Sequence, residues 1–135
     1  MKIGATFEPC EVIDDGFIGS YAGVTTIAPD GTVYLASGSA IYSSNSNPLG
    51  QTWTKLAGSP RASVITNDGT SLIASYGGTT AHPAYIASLT NVTQWTNMTD
   101  SPDMGRGANQ LAYDPVHHIV YAADWAAGLW RVVTK

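Results

Sequence analysis

Cysteine is almost missing from this sequence of 135 residues, which contains Cys10 and no other. A single cysteine excludes a disulfide bond within the chain. Residues 1–5 also lack the long apolar run that opens a secretory signal. Together these features predict a cytoplasmic location, or a secreted one if a leader has been removed.

Charged residues are scarce as well, at 12% of the sequence, and the formal net charge is −4. A protein that binds nucleic acid non-specifically needs a basic face to displace counterions, so we expect no nucleic-acid partner. The apolar residues, 44% of the total, are interrupted too regularly by glycine and polar residues to span a membrane. They are too many for a disordered chain. We expect one soluble domain without a membrane partner.

The sequence also lacks recognisable catalytic motifs. The sequence has no cluster of metal ligands, no nucleophile elbow and no phosphate-binding loop. His117 and His118 are adjacent in a turn, where their imidazoles point apart, and no third ligand accompanies them. We therefore predict no catalytic residues, no metal and no cofactor.

What the sequence does contain is a repeat. Trp53 and Trp95 stand about 40 residues apart, the period of a propeller blade, and each opens a similar phrase that ends in Ser-Pro. Around them, short β-branched or aromatic runs are bounded by Gly, Pro, Asn or Asp, which is the pattern of strands. These runs predict strands at residues 24–27, 33–36, 40–43, 52–56, 63–66, 72–75, 84–87, 94–98, 110–113, 119–122 and 128–132.

The predicted fold class is therefore all-β, with three four-stranded propeller blades per chain, of which the third lacks its fourth strand. Three blades cannot close a ring, so the chain is predicted to form half of a six-bladed propeller. The predicted parts are an N-terminal closing strand and entry loop at 1–21, a first blade at 22–60, a second blade at 61–103 and an incomplete third blade at 104–135.

Two loops resemble the Asp-box of sialidase-like propellers, the BNR repeat, whose pattern is Ser-x-Asp-x-Gly-x-Thr-Trp. The segment 46–53 keeps the Ser, Gly, Thr and Trp of the box and has Pro48 in place of the Asp, while the segment 88–95 keeps Ser88 and Trp95. The stretch from Asp114 to Arg131 is similar to a blade of the same family. This resemblance implies a propeller fold, with the boxes on hairpin loops away from the functional face. The early Arg-Ile-Pro motif of the family's sialidases is not in this sequence, so we expect no sialidase activity.

Residues 5–13 have the composition of the missing fourth strand. They are predicted to pair with residues 128–133 of a second chain, and reciprocally, which would make a homodimer that closes the six-bladed ring. In the alternative, the chain is a fragment or one subunit of a larger propeller.

Loops that follow the second and fourth strands of a blade share one face, and this face carries the more varied polar residues. Arg61 and Arg106 precede first strands, which points them toward the axis, where a guanidinium binds carboxylate or phosphate. Tyr76 and Trp125 could stack on a sugar ring. The candidate ligand-binding residues are Tyr21, Arg61, Tyr76, His82, Asp103, Arg106, Asp124 and Trp125. In the alternative, the arginines form ion pairs with Asp14, Asp15, Asp103 or Asp124.

Three functions are compatible with this pattern. The first is a non-catalytic binding module that recognises a glycan or a small anionic ligand at the axial funnel. The second is a glycoside hydrolase or lyase whose acids would come from Asp14, Asp15, Asp103 or Asp124. The third is a scaffold for protein interactions.

Overall fold

The structure is a computed structural model that describes residues 23–45, 52–77, 84–98, 107–124 and 128–134. Within these residues the fold is all-β: there is no helix, and the strands form three antiparallel sheets. Since these residues form no helix, none of them belongs to a helix long and apolar enough to cross a membrane. The predicted all-β class is confirmed.

Each sheet is a meander in which strands adjacent in sequence are neighbours. The first sheet contains β1 (Val24–Ile27), β2 (Val33–Ala36), β3 (Ile41–Ser44) and β4 (Thr54–Lys55). The second contains β5 (Val64–Asn67), β6 (Ser71–Ser75), β7 (Ala84–Ser88) and β8 (Thr96–Asn97). The third contains β9 (Gln110–Asp114), β10 (Ile119–Asp124) and β11 (Gly128–Val133). All the predicted strands are present, and β4 and β8 are shorter than predicted.

An aspartate organises the first turn of each sheet. Oδ1 of Asp30 accepts a hydrogen bond from the Thr32 amide at 2.9 Å, and Oδ1 of Asp114 accepts one from the Val116 amide at 2.8 Å. The Asp68 carboxylate accepts from the amides of Thr70 and Ser71 at 2.8 and 2.7 Å. Aspartate is favoured in turns because its side chain bonds the backbone two residues on. The end of the sheets that carries these turns is called the lower end.

The three sheets stack in chain order, with the second sheet in the middle. β1 lies against β5, and β5 lies against β9, so the first strands of successive sheets are neighbours. One core cluster joins the first two sheets and a smaller one joins the last two. The first cluster includes Tyr34, Ala36, Ile41, Ile65, Leu72 and Ala74. The second includes Val64, Ala108, Leu111, Ala122 and Trp130.

The middle sheet is consequently buried on both faces. Leu72 and Ile73 are consecutive in β6, so their side chains lie on opposite faces, and they are 0% and 1% exposed. Burying a side chain of this size contributes about 1.5–3 kcal/mol. The middle sheet therefore supplies the apolar contacts that hold the three sheets together.

Hydrogen bonds between sheets reinforce this packing at both ends. At the lower end, Nδ2 of Asn67 donates to Oγ1 of Thr26 at 2.7 Å and to the Ile27 carbonyl at 2.9 Å. At the opposite end, which we call the upper end, the Ala108 amide donates to Oγ of Ser75 at 2.9 Å. The relative position of neighbouring sheets is thus fixed by side chains bonded to backbone.

The sheets do not close on themselves within the described residues, and β11 pairs with β10 alone there. Residues 5–13, predicted to pair with this strand, lie outside the described part of the chain. The predicted blade boundaries and the predicted homodimer stay predictions.

Candidate functional site

The upper end is where β2, β6 and β10 stop and where the chain enters β5 and β9. It brings together segments of all three sheets because those sheets stack with their first strands side by side. Its described members are residues 37–40, 61–63, 76–77 and 107–109 and the last residue of β10, Asp124.

A serine turn forms the base of the site. Oγ of Ser37 accepts a hydrogen bond from the Ala40 amide at 3.2 Å, which closes the turn after β2. Gly38 has φ 92°, a conformation that suits glycine, and its amide donates to the Ala62 carbonyl at 2.6 Å. The turn is therefore joined to the backbone just before β5. It sets the position of Arg61.

The Arg61 guanidinium lies over the ring of Tyr76. Nη2 of Arg61 donates to the Tyr76 hydroxyl at 2.8 Å, and the guanidinium carbon lies 4.3 Å from the centre of the tyrosine ring. Nε of Arg61 is 3.4 Å from the Gly38 carbonyl, which accepts a long hydrogen bond. A cation this close to an aromatic ring is attracted by the negative face of the ring. The Arg61–Tyr76 pair is thus a cationic and aromatic surface held at an exposed position.

Gly77, the residue after Tyr76, lies where the second and third sheets approach each other closely. The Gly77 amide donates to Oγ of Ser63 at 3.0 Å. A side chain at Gly77 would collide with the Asn109 side chain and would lie 3.0 Å from the Ala108 carbonyl. Glycine at 77 therefore lets the second and third sheets meet at the residue next to Tyr76.

Asp124 contributes a carboxylate to the same end. It is the last residue of β10, faces the second sheet as Val120 and Ala122 do, and is 7% exposed. A buried carboxylate needs polar partners to offset its lost hydration. The upper end thus combines an exposed guanidinium with a buried acid.

The lower end carries the histidines. Nδ1 of His117 lies 2.7 Å from Oδ2 of Asp114, and Nδ1 of His118 lies 3.0 Å from the Tyr113 hydroxyl. Hydrogen bonds from the His117 side chain and amide and from the Val116 amide hold the pKa of Asp114 below its ordinary value. Among the residues described by the structure, no three His, Cys, Asp or Glu side chains are grouped so that they could hold a metal ion.

The segment 88–95, one of the two that resemble an Asp-box, also lies at the lower end. Its first residue, Ser88, ends β7 and pairs with Ser71 at the start of β6. Oγ of Ser88 accepts a hydrogen bond from the Thr90 amide at 3.2 Å, and Nε1 of Trp95 donates to the Val92 carbonyl at 3.0 Å. Trp95 is half-buried against the first core cluster. This loop is therefore a brace for the second sheet, remote from the Arg61–Tyr76 pair.

Among the predicted ligand-binding residues, the structure describes Arg61, Tyr76 and Asp124. It brings the first two into contact and places the third at the same end. The remaining candidates lie outside the described residues: Tyr21, His82, Asp103, Arg106 and Trp125. So do Asp14 and Asp15. The alternative in which the arginines form ion pairs with Asp14, Asp15, Asp103 or Asp124 also stays a prediction.

Sequence reasoning missed the residues that hold the pair in place, namely Gly38, Ser63, Gly77 and Asn109. The sequence repeat does point to two of them, Gly38 and Gly77. The segments 33–38 and 72–77 align without a gap as VYLASG and LIASYG, so a glycine follows the second strand in both sheets. A glycine recurring at one position marks a backbone approach that a side chain would block.

No protein-family model matches the chain, and no curated protein matches it either. The likeness to Asp-box proteins therefore stays a prediction carried by the residues quoted for it.

Proposed function

We propose that the three sheets are consecutive blades of a β-propeller, half of a six-bladed ring, and that the protein binds a small anionic ligand, such as an acidic sugar, without catalysis. The ligand occupies the upper end, at the funnel around the propeller axis. The observation that carries this proposal is the contact between the exposed Arg61 guanidinium and Tyr76.

Topology supports the propeller. A blade is a four-stranded antiparallel meander, and blades pack face to face with their first strands around a common channel. The first two sheets have this strand order, and β1, β5 and β9 are neighbours in succession.

The chemistry of the Arg61–Tyr76 pair supports an anionic ligand. A guanidinium recognises a carboxylate through two parallel hydrogen bonds, and it remains charged at every physiological pH. Contact with the Tyr76 ring restrains the arginine before the ligand arrives, so less side-chain entropy is lost on binding. An acidic sugar offers both a carboxylate for the guanidinium and a ring for the aromatic face.

Hydrolysis of a glycoside would need two carboxyl groups about 5–9.5 Å apart. Asp124 is described at this end, and the other candidate acids, Asp14, Asp15 and Asp103, lie outside the described residues. We propose binding because the cation and the aromatic ring of the Arg61–Tyr76 pair are groups that recognise a ligand.

We predict that replacing Arg61 with alanine weakens binding of an acidic sugar by about 1.5–3 kcal/mol, the scale of a charge-assisted hydrogen bond. Glucuronate and N-acetylneuraminate, with neutral glucose as the reference, would be titrated by calorimetry against wild type, Arg61→Ala and Tyr76→Phe. Tyr76→Phe keeps the ring and should have the smaller effect. Lys55→Ala removes the same charge from exposed strand β4 and should change nothing.

Two results would contradict the proposal. If Arg61→Ala lowers the melting temperature and leaves sugar affinity unchanged, the arginine is a structural residue. If the wild type hydrolyses glycosides in a substrate panel, the protein is an enzyme.

The predicted closing strand has its own test. Deleting residues 1–13 should leave β11 without the fourth strand and cause dissociation or aggregation, because exposed strand edges recruit other strands. Light scattering of the truncated and full-length chains measures this. An unchanged mass and solubility would place the fourth strand elsewhere.

A further inference from the structure

We infer that the outer faces of the first and third sheets are the two halves of an interface between two copies of this chain. The inference rests on the proposed blade arrangement. It concerns surfaces remote from the Arg61–Tyr76 pair, so it can fail or hold separately from ligand binding.

The repeat identifies what the third sheet lacks. The second strands align as VYLASG at 33–38, LIASYG at 72–77 and VYAADW at 120–125. In this alignment Tyr34 and Ile73 are equivalent, and both are buried because the next sheet covers them, at 6% and 1% exposure. Their equivalent in the third sheet, Tyr121, is only half-buried.

The next position along the same face repeats the observation. Ala36 and Ser75 are both 0% exposed, one beneath the second sheet and the other beneath the third. Ala123 is their equivalent and is exposed. The outer face of the third sheet therefore has the character of a covered face and no covering sheet within the described residues.

This outer face extends onto β11. In the register of the third sheet, Leu129 is opposite Ala123 and Val133 is opposite Ile119, so all four side chains lie on the face that carries Tyr121. Leu129 is 71% exposed and Val133 is 61% exposed. The same face also carries Arg131, which is opposite Tyr121 and lies between these two exposed apolar side chains. Large exposed apolar side chains grouped on one face mark an interaction surface.

The outer face of the first sheet also carries apolar residues that no described sheet covers. Leu72 and Ala74 are 0% exposed because the first sheet packs on them. Their equivalents, Val33 and Leu35, are only half-buried, and Ile27 beside Val33 is 65% exposed. Within the part of the chain that the structure describes, the first sheet therefore lacks a preceding sheet, just as the third lacks a following one.

A second copy of the chain would supply both the sheet that precedes the first and the sheet that follows the third. The first sheet of one copy would cover the third sheet of the other, and the same contact would repeat on the opposite side. Such a head-to-tail contact closes after two copies if three sheets complete half a turn, which corresponds to about 60° per sheet in a six-bladed ring. A closed ring also leaves no uncovered apolar face.

Light scattering coupled to size-exclusion chromatography tests the interface. The wild type should have a mass of about twice the 14.2 kDa of one chain. Leu129→Lys should raise the dissociation constant of the dimer at least about 100-fold, because a lysine would be buried without a partner at the contact. Val116→Lys is the matched control: Val116 is 77% exposed but lies in the turn after β9, outside both faces, so the mass should not change.

A second variant tests the head-to-tail geometry. Ile27→Lys alters the other half of the interface and should also dissociate the dimer. A mixture of the Ile27→Lys and Leu129→Lys chains should regain dimer in part, since one of its two contacts is then wild type on both sides. Circular dichroism of the monomeric variants should retain the β spectrum, because both positions are exposed within one chain.

The interface is overturned if the wild type stays at 14.2 kDa up to about 100 μM, if it forms fibres or larger rings, or if Leu129→Lys leaves the mass unchanged. If Ile27→Lys still dimerises alone, the contact is not head-to-tail, and the inference also fails. Glucuronate titration of the same samples separates the two proposals: a dimer that binds no acidic sugar contradicts only the proposed function.

Discussion

Replacing Leu72 with alanine is expected to lower the free energy of unfolding by about 2–5 kcal/mol. Leu72 is 0% exposed in the middle sheet and belongs to the cluster that joins the first two sheets. Removing its branched end would leave a cavity between the first and second sheets. Urea unfolding followed by tryptophan fluorescence measures the loss.

Val116→Ala is the control for this prediction, since it removes methyl groups from a side chain that is 77% exposed. We expect a change within about 0.5 kcal/mol there. Equal losses for the two variants would mean that the middle sheet does not hold the structure together.

Replacing Asp68 with alanine is expected to cost about 2–3 kcal/mol, because one buried carboxylate serves several donors. Its Oδ1 accepts hydrogen bonds from the amides of Thr70 and Ser71 and from the Thr70 hydroxyl, all at 2.7–2.8 Å. Asp68 is 4% exposed, so water cannot readily replace it. Thermal unfolding of the variant against wild type measures the loss.

The matched control is Asp30→Ala at the same turn of the first sheet. Asp30 is exposed and accepts from the Thr32 amide, a group that water can reach. A much smaller loss is expected. If the two variants unfold alike, burial of the Asp68 carboxylate is not what makes it important.

The Asp68 carboxylate makes the stability of the protein depend on pH in a defined direction. Burial raises the pKa of Asp68, but the hydrogen bonds from Thr70 and Ser71 outweigh it and hold this pKa below its ordinary value. The stabilisation is therefore complete above the unfolded pKa of about 3.9 and is lost as the pH falls through the folded pKa. Melting temperatures between pH 6 and pH 2 should fall less steeply for Asp68→Asn than for wild type. Parallel curves would contradict this assignment.

Strand positions were predictable from the sequence, and strand lengths were predicted to within two residues except at β4 and β8. The runs around Val33, Leu72 and Ile119 combine β-branched or apolar residues with flanking turn residues, and all became paired strands. The runs around Trp53 and Trp95 were predicted as five-residue strands and became pairs of residues. The length of pairing there depends on the residues of β3 and β7 that lie opposite, and a local sequence pattern carries no information about them.

The sequence was enough to predict that the candidate site residues lie at the same end of the sheets. Alternation of turns in a meander placed Arg61 and Tyr76 at one end. Their contact was not predictable, because it depends on how closely the second sheet meets its neighbours at Gly38 and Gly77. Packing between sheets fixes that distance, and it is a property of the whole fold.

The end of β11 has a practical consequence for immobilising the protein. The amide and the hydroxyl of Thr134 both donate to the His118 carbonyl, at 2.9 and 3.2 Å, which anchors this part of the chain beside the third turn. A biotin or a surface linker attached at the Thr134 end of β11 would therefore depart from the side bearing that turn. A sensor chip coated in this way would present Arg61 and Tyr76 to the flowing analyte.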